Sequence, residues 1–381
     1  MKYRTLGRTG IVVSEIALGC EGFIKSSKEE SLNIINYALN NGVNFFDIYT
    51  PNPYVRDVIG NAIEGSRERV IIQGHLGTLW TGDAYVRTRD KSIIEKSFYD
   101  MLYRLKTTYI DIGMLYYIDK EEEYKRVFES DIYEYVKTLK SDGVIRAIGM
   151  SSHNPNIALK AVDEGVIDVL MFSINPAYDL QPADEDCFKL FDNSTYKGLL
   201  KKDVVRLKLY EACQRNGVGI DVMKAFGGGN LLNAQASPFG KALTPIQCIA
   251  YALDTPAVAS VMLGCHSVKE VDDALGLYGA SLEQLEYESV IRCMIDNPQT
   301  GYCMYCGHCQ PCSSGIDIAM INKLISLCVP RNFVPETVRE HYDMLSIKAS
   351  ACIGCRVCET RCPFEVDIVS KMREAIGLFG K

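Results

Sequence analysis

"KEESLNIINYALNNGVNFFDIY", residues 28–49, is the stretch from which the fold is read. Its first part, "KEESLNIINYALNNG", spaces apolar residues as one face of a helix. Ser27 and Glu30 form the S-x-x-E signature of a helix start. Its last part, "VNFFDIY", is a short apolar run of strand length that ends in Asp47 and Tyr49. The same alternation recurs outward in both directions. Strand-like runs end in "EIALGC", "VNFFDIY", "RVIIQGHL", "IDIGMLYYI", "IRAIGMSS", "IDVLMFSIN", "VGIDVMKAF" and "VASVMLGC", with amphipathic helical segments between and after them. Thr244–Pro245 and Asn154–Pro155 place proline at a first helical position, and Ser267–Glu270 repeats the capping signature. Eight strand–helix units over about 265 residues predict a closed (β/α)8 TIM barrel. An open doubly wound sheet is the alternative. It would carry a G-x-G-x-x-G turn after its first strand, and "ALGCEGF" is not one.

Barrels of this kind carry their chemistry at the C-terminal ends of the strands. Those ends supply Asp47 and Tyr49, His75, Tyr116 with Tyr117 and Asp119, Ser151 with Ser152 and His153, Asn175, Lys224 and His266. Three of the five histidines fall there, which suggests a shared site. Asp47, His75 and Tyr116 close three consecutive strands and are the candidate catalytic residues. Ser151, Lys224, Gly227, Gly228, Gly264 and His266 are candidates for cofactor binding. The glycine run in "KAFGGGN" could present backbone N–H groups to a phosphate or serve as a plain turn. A metal site built from Asp47, His75, His153 and His266 is a weaker reading, because no paired-histidine motif follows the first strand. Two insertions, "GTLWTGDAYVRTRDK" after the third strand and residues 177–200 after the sixth, are candidate lids or docking surfaces.

Eight of the fifteen cysteines fall in two runs: Cys303, Cys306, Cys309, Cys312 in "CMYCGHCQPC", and Cys352, Cys355, Cys358, Cys362 in "CIGCRVCETRCP". C-x2-C-x2-C places three thiolates around one cubane, and the fourth, more distant cysteine serves the other cluster in two-cluster ferredoxins. By that rule Cys303, Cys306, Cys309 and Cys362 hold one [4Fe–4S] cluster, and Cys352, Cys355, Cys358 and Cys312 hold a second. "CSSGIDI" and "CPFEVDI" repeat after the two runs, although Ser313 stands where proline follows the other fourth cysteine. Two structural zinc sites are the competing reading, but zinc loops pair C-x2-C with a second, distant pair. Between the runs, "IDIAMINKLISLC" and "PETVREHYDML" read as helices. The expected organisation is therefore a barrel over 1–285 and a small, mostly helical, ferredoxin-like domain over 286–381.

A net charge of −7 argues against nucleic acid as a partner. No apolar run approaches the ~18–20 residues of a membrane span, and "MKYRTLGRTG" does not read as a signal peptide. Many cysteines without a secretion signal point to a reducing, cytoplasmic setting and metal ligation.

The chain resembles the aldo-keto reductase superfamily, in the branch with a C-terminal two-cluster module. "YRTLGRTGIVVSEIALGC" is similar to its opening hairpin and first strand, and "NFFDIY", "IRAIGMSSHN" and "VMKAFGGG" to its second, fifth and seventh strands. The resemblance implies a barrel with NADP(H) bound across its top and an Asp–Tyr–Lys–His catalytic set. Asp47 matches the Asp. Asn52, His75 and Tyr116 stand at the Tyr, Lys and His positions. The cofactor pattern departs as well, with His266 at the basic position, Asp273–Ala274 for Glu-Asn, and Met171 for a Gln. The expectation is an oxidoreductase that exchanges electrons between two clusters and a small-molecule substrate at the barrel mouth. NADP(H) or a flavin is the candidate barrel cofactor, and an external ferredoxin- or flavodoxin-type protein the candidate carrier. A variant NADP(H)-dependent carbonyl reductase and a non-catalytic electron relay are the alternatives.

Overall fold

The structure, a computed structural model, describes residues 1–82, 84–179, 204–291, 303, 309–326, 328, 334–362 and 366–380. Cys306 and residues 180–200 of the second insertion lie outside the described residues. The chain divides into two compact units. One comprises Met1–Asn175, Asp203–Ala225 and Ile249–Leu285; the other comprises Pro176–Lys202, Phe226–Cys248 and Glu286–Lys381.

The first unit begins with an antiparallel hairpin, β1 (Tyr3–Thr5) and β2 (Val12–Ser14). Eight parallel strands then close a barrel: β3 (Ile16–Gly19), β4 (Phe45–Ile48), β5 (Ile71–Leu76), β8 (Ile110–Leu115), β9 (Ile145–Ser152), β10 (Val169–Ser173), β11 (Gly219–Met223) and β12 (Val258–Leu263). Between β5 and β8 lies a second hairpin, β6 (Thr78–Thr81) and β7 (Ala84–Arg87). The helices up to residue 275 include α1 (Lys28–Asn40), α2 (Pro53–Ala62), α3 (Lys91–Arg104), α4 (Glu121–Phe128), α5 (Asp131–Ser141), α6 (Pro155–Asp163), α7 (Val204–Asn216), α8 (Pro245–Leu253), whose first turn belongs to the second unit, and α9 (Val268–Leu275).

Local chemistry sets the helix starts. Ser27 and Glu30 make the full reciprocal capping box of α1. Asn154 caps α6 ahead of Pro155. Ser267 accepts the Glu270 N–H at 3.2 Å, but the Glu270 carboxylate takes the His266 N–H at 2.7 Å, so the expected box is only half formed. Asn52 accepts the Val55 N–H at 3.2 Å and caps α2.

Alternate residues of each strand point inward. Phe45, Ile112, Met114, Ala147, Val169 and Met171 form one buried core with Leu6, Ile11 and Val13 of the first hairpin. That hairpin seats its tip against the start of β11, where Arg8 N–H donates to the Gly217 carbonyl at 2.6 Å. Gly7 makes this approach possible. Its φ is +55°, and a Cβ there would lie 2.3 Å from Gly217 O and Gly219 N. Each fully buried core side chain contributes roughly 1.5–3 kcal/mol of transfer free energy.

The second unit is helical among its described residues, with α10 (Ile318–Ser326), α11 (Glu336–Met344) and α12 (Ile368–Phe379). Its core joins Ile321, Leu324, Tyr342, Met372 and Phe379. Tyr342 stacks on Phe379 with ring centroids 4.1 Å apart, and its hydroxyl accepts the Ala349 N–H at 3.0 Å. No helix among the described residues is long and apolar enough to cross a membrane.

Candidate active site and cysteine centre

Inward parity on β4 and β5 brings Asp47, Gln73 and His75 together. Asp47 Oδ1 accepts the Gln73 Nε2–H at 3.0 Å and lies 2.8 Å from His75 Nε2. Asp47 and His75 are 5% and 3% exposed. The carboxylate sets the imidazole orientation, and His75 Nδ1 is buried without a hydrogen-bond partner among the described residues. Tyr116 follows β8, its ring 5.7 Å from that of His75 and 5.5 Å from that of Tyr49. The three expected catalytic residues therefore meet at the end of neighbouring strands.

The first insertion joins this cluster. Tyr85 of β7 packs with Tyr116 and Tyr117, and Tyr49 and Trp80 lie against them. Arg89 fastens the arrangement. Its Nη2 donates to the carbonyls of Tyr116 (2.7 Å) and Tyr117 (3.0 Å), and its Nε pairs with Glu123 at 2.8 Å. Burial pulls the Arg89 guanidinium below its usual range, with Glu123 opposing that pull. Gly77 leaves the room: at φ +104°, a Cβ would lie 2.7 Å from Arg89 Nη1.

A second group lies along the ends of β8, β9 and β11. Asp119 Oδ2 faces His153 Nδ1 at 2.9 Å, and Lys224 Nζ faces His153 Nε2 at 3.0 Å. Asp119 Oδ1 accepts the His153 backbone N–H (2.6 Å) and the Ser152 hydroxyl (2.9 Å). Burial pushes the Asp119 carboxyl upward, but the attraction of His153 and these hydrogen bonds outweigh it and leave it at about 2. Tyr117, its ring 5.5 Å from that of His153 and 5.7 Å from that of Tyr116, joins the two groups. Tyr117 (φ +52°) and Lys224 (φ +60°) hold left-handed backbone that costs a non-glycine residue. Two polar contacts hold those backbones in place. The Ser151 hydroxyl accepts the Tyr117 N–H at 2.8 Å, and Asn175 Nδ2 donates to the Lys224 carbonyl at 2.9 Å.

Of the expected cofactor residues, Ser151 is thus committed to Tyr117, and Lys224 stands in the His153 group. Gly264 and His266 are exposed. Gly227 and Gly228 have φ of +58° and +71°. Sequence reasoning passed over Gln73, Arg89 and the buried Asp221 of β11. The legible signal for Asp221 is an acid inside the apolar run "GIDVM", beside inward-facing Met171.

In the second unit, Cys312, Cys352, Cys355 and Cys358 line one partly open pocket whose other walls include Ile316, Ile318, Ile368 and Met372. Gly354 (φ +68°) and Arg356 (φ +59°) coil the loop around Cys355. The Val357 N–H, then the Ser313 hydroxyl at 3.8 Å, favours the Cys355 thiolate. Cys303, Cys309 and Cys362 pack against the same core.

The sequence model of the Aldo/keto reductase family matches residues 15–244. The "Uncharacterized oxidoreductase YqkF" of Bacillus subtilis (strain 168) is 26% identical over 313 residues, which is 76% of this chain and 94% of the relative. The "Aldo-keto reductase YhdN" of the same organism is 28% identical over 47% of this chain and 54% of its own length. In fold, the chain resembles the aldo-keto reductase AKR11C1 from Bacillus halodurans (holo form), with a TM-score of 0.59 and 20% identity. That match covers 77% of this chain and 96% of the other. The chain belongs to the aldo/keto reductase family of oxidoreductases.

Proposed function

We propose that this protein is an iron–sulfur oxidoreductase that exchanges electrons with a small-molecule substrate at the mouth of its barrel. The carrying observation is the apolar cavity lined by Cys312 together with Cys352, Cys355 and Cys358. This donor set, three cysteines of the second run and the fourth of the first, is the crossed set expected for a ferredoxin-type [4Fe–4S] site. Four soft thiolate donors in an apolar wall fit an iron–sulfur cluster. Cys303, Cys306, Cys309 and Cys362 would hold a second one. When bound, such clusters supply electrons one at a time, and two of them suffice for one net two-electron step.

The barrel residues supply the proton chemistry. Asp47 accepts the His75 Nε2–H and fixes the ring. His75 Nδ1 is then the ring nitrogen left to take up or give a proton. Tyr116 and Tyr49, with hydroxyls 3.4 Å apart, offer a second polar contact to a substrate beside it. The aromatic cluster with Tyr85 and Tyr117 excludes water from this group. A cytoplasmic setting and an external ferredoxin- or flavodoxin-type carrier belong to the same reading.

Aldo-keto reductases typically bind NADP(H), but the segment after β12 does not suit a 2′-phosphate. Lys269 Nζ is paired with Asp273 at 2.6 Å, Asp272 accepts the Tyr37 hydroxyl, and Glu270 accepts the His266 N–H.

Dithionite-reduced protein, screened anaerobically for compounds that reoxidise its clusters, tests the reading. His75→Ala should keep both clusters and their reduction by dithionite. It should slow substrate-driven reoxidation by roughly 10²–10⁴-fold, the usual worth of acid–base catalysis. Equal reoxidation rates in both proteins would remove His75 from the path.

A further inference from the structure

Asp221 lies on β11 beside Met171 of β10, and Met171 faces the barrel interior. The Asp221 side chain is fully buried, and neither carboxyl oxygen has a hydrogen-bond partner among the described residues. An ionised carboxylate without donors in such a place is costly. Ser260 of β12 stands in register with it, but the Ser260 hydroxyl is given to the Ser14 carbonyl at 2.7 Å. The groups that act on Asp221 are Asp47, whose charge repels a second one, and the Gln73 side chain, which lies within hydrogen-bonding influence of it and offsets part of the rise, although no bond of good geometry joins the two. Burial first, then Asp47, drives the Asp221 carboxyl well above its usual range.

Gln73 carries the complementary vacancy. Its Nε2 donates to Asp47 at 3.0 Å, while its Oε1 is buried and accepts nothing. A carboxylate beside that oxygen would be acceptor facing acceptor. A carboxylic acid there is a donor, and one O–H satisfies both orphans.

We propose that Asp221 is carried as a neutral acid and is the positioning residue of the Asp47–His75 pair, donating its O–H to Gln73 Oε1. The donors then converge on Asp47: Asp221 O–H to Gln73 Oε1, Gln73 N–H to Asp47, and His75 Nε2–H to Asp47 from the other side. Gln73 cannot turn its carbonyl toward Asp47 without losing the Asp221 bond. Asp47 therefore stays the acceptor of both bonds, and His75 keeps Nδ1 as its free position. The proposal rests on the reading of Asp47–His75 as the proton-handling pair, but its test does not use turnover.

The wild-type protein, labelled with 13C at the aspartate carboxyl carbons, is titrated by NMR. One buried carboxyl should stay protonated well above pH 4, near which free aspartates ionise, and its resonance should vanish in Asp221→Asn. Denaturant titrations across pH give the second readout. A group held neutral in the folded state and ionised in the unfolded one loses stability as pH rises from about 4 to its folded pKa, by up to tenfold per pH unit in the folding equilibrium. Asp221→Asn, which stays neutral, should lack that slope, and the His75 ring 15N shifts, which report its tautomer, should keep their wild-type values in Asp221→Asn but not in Asp221→Leu. Should Asp221→Asn not fold, Gln73→Leu must move the protonated resonance. A wild type in which every aspartate carboxyl titrates near pH 4, or an Asp221→Asn protein with the wild-type pH slope, overturns the proposal. Failure of His75→Ala to alter turnover would overturn only the catalytic reading.

Discussion

Arg89→Met should loosen the barrel mouth more than any surface change. The substitution removes one guanidinium that serves four acceptors: Glu123 at 2.8 Å, the carbonyls of Tyr116 and Tyr117 at 2.7 and 3.0 Å, and the Thr88 carbonyl at 3.4 Å. The Arg89 side chain is 6% exposed and that of Glu123 17%. Removing one partner of a buried ion pair costs about 3–5 kcal/mol, because the other charge stays behind. Arg126 lies 3.3 Å from Glu123 and offsets part of this, which puts the expectation at about 3 kcal/mol. Trp80 is the sole tryptophan and packs against the same cluster, so its fluorescence reports on this region. With a urea dependence of about 1–3 kcal/mol per molar, the midpoint should fall by roughly 1–3 M. Arg89→Lys keeps the charge but not the fork, and should fall between the two. A midpoint for Arg89→Met within about 0.3 M of wild type would refute the fastening role, since that is the range of an ordinary surface substitution.

Two further outcomes follow from the site. Asp119 has a folded pKa of about 2, below the ~3.9 of an unfolded aspartate. It therefore contributes stability above pH 4 that is lost as pH falls toward 2. Asp119→Asn should flatten that acid limb by about 2 kcal/mol in denaturant titrations, and an unchanged limb would exclude the contact with His153 as its source. NADPH alone should reduce simple aldehydes and ketones slower than is usual for the family by about 10²–10⁴-fold, because Asn52 is an α2 cap and His75 is tied to Asp47. Ordinary carbonyl turnover in a spectrophotometric NADPH assay would assign the acid role to another residue.

The barrel was legible because each unit repeats two periods, helical then strand-like, and its helix starts carry local signals such as Ser27–Glu30 and Asn154–Pro155. Asp47, His75 and Tyr116 were legible as strand ends, since neighbouring strands bring them together wherever the barrel closes. The Asp119–His153–Lys224 group was legible as residues but not as a group, because its members meet only through the closure of β8, β9, β10 and β11. Arg89 and Tyr85 were not legible. They lie in an insertion, and composition does not say where an insertion packs. Gln73 and Asp221 sit in apolar strands, and only the inward parity of their neighbours shows that they face one another's side of the barrel.

The most direct test of the account is iron and acid-labile sulfide analysis of anaerobically purified wild type, with EPR of the reduced Cys312→Ser and Cys362→Ser proteins alongside. Wild type should carry about eight iron and eight sulfide per chain. Cys312→Ser should damage the cluster of Cys352, Cys355 and Cys358, and Cys362→Ser that of Cys303, Cys306 and Cys309. A colourless protein with stoichiometric zinc and no sulfide would contradict it.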